Sequence, residues 1–270
     1  PSAPVIDRRV AANGLSIHCL EEGHPDGEPL VLLHGGGEAA RPRWSPYLRA
    51  LSRRFRVIAP DSRGHGGTVN PSGELTYRLM AEDTAALCEA LNADGAVFCG
   101  FSDGANIALE LGMRFPARCR ALVLHGTAFT FSDDYYQGLC QFFGVESRDE
   151  PANVENMERS MPELMAGMRR WHAPQGPDHW LRLLRQLEVL FKTPVSYGPE
   201  DWAQVTAPAL VLTGDRDPFM PVEEQVELYR LLPQAELAVW PGVGHAFPKR
   251  AELFTDLLVD FVDRRAPSPA

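Results

Sequence analysis

Along this chain, short apolar runs bounded by turn residues alternate with stretches in which apolar positions recur every three or four residues. Runs at 30–33, 56–59, 96–99, 121–124, 209–213 and 236–240 are mostly continuous in Leu, Val, Ile and Ala. That is the pattern of strands buried on both faces of a sheet. They end in turn order at His34-Gly35-Gly36-Gly37, Pro60-Asp61, Gly100, His125-Gly126, Gly214-Asp215 and Pro241-Gly242. Two further runs, 5–10 and 16–21, predict a leading pair of strands. Leu79, Met80, Leu87, Ala90 and Leu91 fall at helical spacing, as do Ile107, Ala108, Leu111 and Phe115, and Leu253, Phe254, Leu257, Leu258, Phe261 and Val262. The alternation predicts an α/β fold: a mostly parallel central sheet of about eight strands with helices on both faces.

One segment breaks the rhythm. Residues 129–201 contain no convincing strand pattern, are rich in helix formers and aromatics, and are punctuated by Pro162, Pro174, Pro177, Pro194 and Pro199. A structureless loop of that length is improbable inside a compact domain. A helical insertion at 129–201, splitting a core of 1–128 and 202–265, fits better. Residues 266–270 are expected to form a disordered tail.

Composition narrows the class. The chain has 270 residues, 44% apolar and 23% charged, and a formal net charge of −10. That length can bury a substantial core. The negative balance, with no basic run against it, argues against a nucleic-acid partner. No apolar run approaches a membrane span, and no signal-peptide pattern opens the chain. The five cysteines, Cys19, Cys88, Cys99, Cys119 and Cys140, are odd in number and form no Cys-x-x-Cys pair. Free thiols in a reducing compartment, and so a cytoplasmic enzyme, are the expectation. Of the 26 basic residues only Lys192 and Lys249 are lysine. With abundant Ala, Gly and Pro, this points to a GC-rich, bacterial coding sequence.

The candidate chemistry centres on Gly100-Phe101-Ser102-Asp103-Gly104. Alone, a Gly-x-Ser-x-Gly run is weak. Here it joins a buried strand to an amphipathic helix, which puts the serine hydroxyl on a sharp turn above the sheet edge. The glycines would let strand and helix approach closely, and a helix N-terminus favours developing negative charge. Ser102 is therefore the expected nucleophile. A serine needs a base, and His245, on the glycine-rich loop Gly242-Val243-Gly244-His245, can lie over it. His34 and His65 read instead as loop braces, and His125 as a possible substrate contact. The base needs a carboxylate to fix its tautomer. Gly214-Asp215-Arg216-Asp217 offers two. Asp217 is preferred; Asp215 suits its own loop or a pair with Arg216. The backbone N–H groups of Gly36 and Asp103 are the expected oxyanion donors. No metal or organic cofactor is required.

These runs together resemble the α/β-hydrolase superfamily. Leu33-His34-Gly35-Gly36-Gly37 matches its His-Gly oxyanion turn, and Asp61-Ser62-Arg63-Gly64-His65-Gly66 its Asp-x-Arg-Gly-His-Gly loop. The serine elbow, Gly214-Asp215-Arg216-Asp217 and Gly244-His245 complete the set, from about Val5 to Val262. The resemblance implies that 129–201 is a helical lid over the active site. It also implies that serine, where epoxide- and haloalkane-acting relatives usually carry aspartate, suits acyl transfer from esters, thioesters, lactones or amides. The expected partner is a small molecule, an apolar or aromatic acyl compound, contacted by His125, Phe129, Tyr135, Tyr136, Trp171 and Phe247. More than half of the aromatics in 129–201 are expected only to pack the helices onto the sheet. Two other readings on this scaffold are a non-hydrolytic or carbon–carbon-cleaving biosynthetic enzyme and a small-molecule receptor.

Overall fold

A computed structural model describes residues 5–246 and 251–266. The apolar runs fold as strands β1 (Ile6–Ala12), β2 (Leu15–Glu22), β3 (Pro29–Leu33), β4 (Arg56–Pro60), β5 (Ala96–Phe101), β6 (Cys119–His125), β7 (Ala209–Gly214) and β8 (Ala235–Trp240). They form one eight-stranded sheet in the order β1-β2-β4-β3-β5-β6-β7-β8. The β1–β2 and β2–β4 pairs are antiparallel and the others parallel.

Helices α1 (Ala40–Leu51), α2 (Tyr77–Ala90) and α3 (Asp103–Arg114) connect the first strands. Five helices stand between β6 and β7: α4 (Asp133–Phe143), α5 (Val154–Ser160), α6 (Pro162–His172), α7 (His179–Lys192) and α8 (Pro199–Gln204). No strand interrupts them among the described residues. α9 (Val222–Leu231) and α10 (Ala251–Arg265) complete the chain. α1 and α9 were not signalled by the periodicity. Pro42 and Pro46 obscure α1, although Ala40, Trp44, Tyr47, Leu48 and Leu51 form its buried face.

The continuous apolar strands have a direct cause. Alternate residues face opposite layers. Val31, Leu33, Ile58, Phe98, Leu122 and Leu124 pack under α2, α3 and the inserted helices. Leu30, Leu32, Val57, Val97, Val123 and Leu210 pack against α1 and α10. β8 is only partly buried, because it is one of the two edge strands and pairs with β7 alone. The carboxyl ends of the parallel strands β3, β5, β6 and β7 thus converge on one edge of the sheet, where open α/β sheets bind ligands. Ala266, expected in a disordered tail, is buried in the core; residues 267–270 lie outside the described residues.

Candidate active site

Ser102 joins β5 directly to α3 with φ 54° and ψ −120°. A left-handed backbone at a non-glycine residue is held only when its surroundings enforce it, at a cost of about 1–3 kcal/mol. Here they do. The Ser102 N–H donates to the His125 carbonyl at 2.8 Å, and the Ser102 carbonyl accepts from Ala105 and Asn106. A Cβ at position 100 would overlap the Gly104 carbonyl, and one at 104 the Leu33 carbonyl. The expected glycine requirement is therefore a steric fact of this turn.

The loop after β8 brings His245 to this turn. Its Nε2 lies 3.0 Å from Ser102 Oγ and its Nδ1 lies 2.8 Å from Asp217 Oδ2. Asp217 Oδ1 accepts from the N–H groups of Phe219 and Met220, which leaves Oδ2 for the histidine. Nδ1 then carries the proton donated to the carboxylate. The Nε2 lone pair faces the serine hydroxyl. Burial pushes the Asp217 carboxyl up, but the His245 ring and the two backbone donors outweigh it and hold the group below the usual carboxylate range. Asp215 turns elsewhere: it accepts from the Gly242 N–H and lies 3.9 Å from Arg216.

The turn after β3 completes the group. His34 donates from Nδ1 to the Gly35 carbonyl and accepts at Nε2 from the Ser62 N–H. His65 donates from Nδ1 to the Arg63 carbonyl and accepts at Nε2 from the Gly37 N–H. Both brace the loops, as expected. Gly36 stands against the Asp103 carboxyl group and the Phe191 ring, where a Cβ would overlap both.

A cavity of about 270 Å³ opens over Ser102, His245, Gly36 and Asp103. Its walls include Tyr135, Leu139 and Phe142 of α4, Leu164 of α6, and Phe191 of α7. Of the six proposed substrate contacts, Tyr135 lines it. Tyr136, one residue on, leaves the 135-139-142 face and packs with Phe131 and Tyr135. Phe129 stacks edge-on against Trp202. Trp171 lines a separate groove with Pro174 and Arg9. His125 is buried beside Phe101 and outside the cavity wall; burial pushes its imidazole down to about 3. Phe247 lies outside the described residues.

Sequence reasoning missed Tyr77 and Asn106. The Tyr77 hydroxyl donates to Asp103 Oδ1 at 3.0 Å. The Asn106 side chain exchanges two hydrogen bonds with the backbone of Ala128. Asn106 lies one helical turn after Ser102, a spacing that could have suggested it. Nothing in the local sequence marks Tyr77. No group of three or more His, Cys, Asp or Glu side chains among the described residues could hold a metal ion.

A family model described as alpha/beta hydrolase fold matches residues 28–248. The chain is 28% identical to the 2-hydroxy-6-oxo-6-(2'-aminophenyl)hexa-2,4-dienoic acid hydrolase of Metapseudomonas resinovorans, over 97% of this chain and 92% of that protein. It is 29% identical to the 2-hydroxy-6-oxo-2,4-heptadienoate hydrolase of Pseudomonas putida, over 89% of this chain and 90% of that protein. Among solved structures, a mutant meta-cleavage product hydrolase from Pseudomonas fluorescens IP01, complexed with acetates, matches with a TM-score of 0.77. That pair is 25% identical over 95% of this chain and 97% of the other.

Proposed function

The chain belongs to the α/β-hydrolase fold family, and we propose that it cleaves a small or medium ester, thioester, lactone or related acyl bond through Ser102, His245 and Asp217. The observation that carries this reading is the continuous hydrogen-bonded series from Asp217 through His245 to the Ser102 hydroxyl. Ser102 Oγ attacks the acyl carbonyl carbon while His245 Nε2 takes its proton. The resulting oxyanion is held by the N–H groups of Gly36 and Asp103. Collapse expels the alcohol or thiol, protonated by His245, and leaves an acyl-enzyme on Ser102. Water, deprotonated by His245, then attacks that ester, releasing the carboxylic acid and restoring the serine. Asp217 keeps the imidazole in the required tautomer and stabilises the imidazolium. The inserted helices act as a lid: α4, α6 and α7 supply apolar wall to the cavity and so set the acyl group it accepts.

A second reading, carbon–carbon hydrolysis, is favoured by the names of the relatives, which describe hydrolases of dienoates. Such a substrate brings a carboxylate. Among the described cavity residues the charged-type side chains are Glu38, Arg43 and Asp103. Arg43 is ion-paired to Glu38 and stacks on Phe101 at 4.1 Å. With the Arg43 guanidinium engaged by Glu38 and no Lys or second Arg among the described cavity residues, the wall suits an uncharged acyl compound better than an anion. Comparing kcat/KM for a p-nitrophenyl ester series with that for a 2-hydroxy-6-oxo-dienoate tests the choice. Ester turnover well above dienoate turnover supports the first reading. Dienoate turnover with no ester turnover overturns it.

A further inference from the structure

Asp103 contributes more to the site than its N–H. Its side chain is buried, with 6% of its surface exposed. The Tyr77 hydroxyl of α2 donates to Oδ1. Oδ2 is almost closed to solvent and has no hydrogen-bond partner among the described residues, in a residue that borders the cavity. It rests against Gly36, one of the two candidate oxyanion donors. The charged and titratable groups around it do not neutralise it. Glu38, ahead of α1, adds negative charge; Arg43 of α1 is taken up by Glu38; Tyr135 of α4 is a neutral phenol; His245 serves the other side of Ser102.

An ionised carboxylate with a buried, unpartnered oxygen costs far more than the neutral acid in the same place. Burial, and after it the charge of Glu38, pushes the Asp103 carboxyl up to about 7 against the opposing Tyr77 bond. Since Tyr77 occupies Oδ1, the proton belongs on Oδ2. We propose that Asp103 works as a neutral carboxylic acid whose Oδ2–H is a third hydrogen-bond donor to the acyl oxygen held by the N–H groups of Gly36 and Asp103. The proton is shared and not transferred; the bond strengthens as negative charge develops on that oxygen. Ionised, the same group would set a second negative charge beside the oxyanion and oppose the reaction. Activity then requires Asp103 protonated as well as His245 unprotonated. This inference rests on the reading of Ser102 as nucleophile.

The test is the pH dependence of kcat/KM on p-nitrophenyl butyrate, from about pH 5 to about pH 9, for the full chain and its D103N and D103L variants. The free enzyme's groups govern that profile. The unsubstituted protein should lose activity as pH rises above about 7, by up to roughly tenfold per pH unit. D103N keeps an N–H donor that does not titrate, so it should stay within about tenfold of the optimum and lack the alkaline fall. D103L should be lower by about 10²-fold at every pH. Activity that keeps rising to pH 9, or D103N as impaired as D103L, overturns the proposal. So does a strong preference for cationic acyl esters that D103N abolishes, because Asp103 would then be an ionised anchor. Infrared difference spectra need no turnover: a protonated-carboxyl band should vanish on raising the pH through about 7 and be missing in D103N, and its absence from the unsubstituted protein also overturns the proposal. Labelling of Ser102 by a fluorophosphonate separates the two levels. Labelling with no alkaline fall sinks the role of Asp103 alone; no labelling sinks the nucleophile reading beneath it.

Discussion

Nδ1 of His245 lies 2.8 Å from Oδ2 of Asp217, across 28 residues of chain, while Asp215 serves the Gly242 N–H in the same loop. The two aspartates therefore have separable roles. D217N should lower kcat by about 10⁴-fold with little loss of fold, since the amide leaves the histidine in the wrong tautomer. D215N should stay within about tenfold of the parent activity and cost roughly 1 kcal/mol of stability. Steady-state kinetics and thermal melts of both variants check this, and the reverse pattern would exchange their roles.

Phe191 and Gly36 meet in the wall of the cavity. Removing the ring, as in F191A, should enlarge the space beside the Gly36 turn. Selectivity across p-nitrophenyl esters should shift toward longer acyl chains, by about 10-fold or more in relative kcat/KM. G36A should change rate instead of selectivity. Its Cβ overlaps Asp103 and Phe191, so kcat should fall by roughly 10²-fold on every chain length. A uniform loss in F191A with unchanged selectivity would argue that Phe191 only supports the fold.

Asp61 links the leading strands to the site loops. Its Oδ1 accepts from the Ala40 N–H; its Oδ2 accepts from the Gly67 N–H and lies 2.6 Å from His18 Nδ1. Burial pushes its carboxyl up, but the bonds from His18 and from the Gly67 and Ala40 N–H groups outweigh it and hold it at about 2. The unfolded chain protonates near 3.9. The stabilisation is thus present above about pH 4 and lost as pH falls through about 2, for a total of roughly 2–3 kcal/mol. His18 behaves oppositely: burial is outweighed by the stronger Asp61 bond, its imidazole is held above the usual value, and its contribution fades as pH rises through that raised value. Melting temperatures should fall on acidification in the parent protein. D61N should melt lower at pH 7 and lose much of that acid-side slope. An unchanged melt for D61N would contradict the role.

The strand runs and the serine elbow were legible in the sequence because each rests on local rules. Continuous apolar runs follow from burial on both faces, and Gly100 and Gly104 from a contact between adjacent elements. The cavity wall was not legible in the same way. Tyr135 and Tyr136 are equivalent neighbours in the sequence; only the orientation of α4 puts one in the wall and the other against Phe131. Trp171 was plausible by composition, yet it belongs to a different groove because it stands two turns along α6, about 10 Å, from Leu164 in the cavity wall. Tyr77 reaches Asp103 only through the docking of α2 on α3, a tertiary relation without a local signature. The edge position of β8 likewise depends on strand order and not on its own residues.

The central claim is that Ser102 is the nucleophile, activated by His245. The most direct measurement is site mapping of the protein after reaction with a fluorophosphonate, alongside ester turnover by the parent and S102A. One adduct should form, on Ser102, with loss of fluoride and of ester turnover together. S102A should take up no label and lose about 10³-fold or more in kcat/KM. Ester turnover that persists in S102A, or an adduct that maps to another residue, would contradict the account.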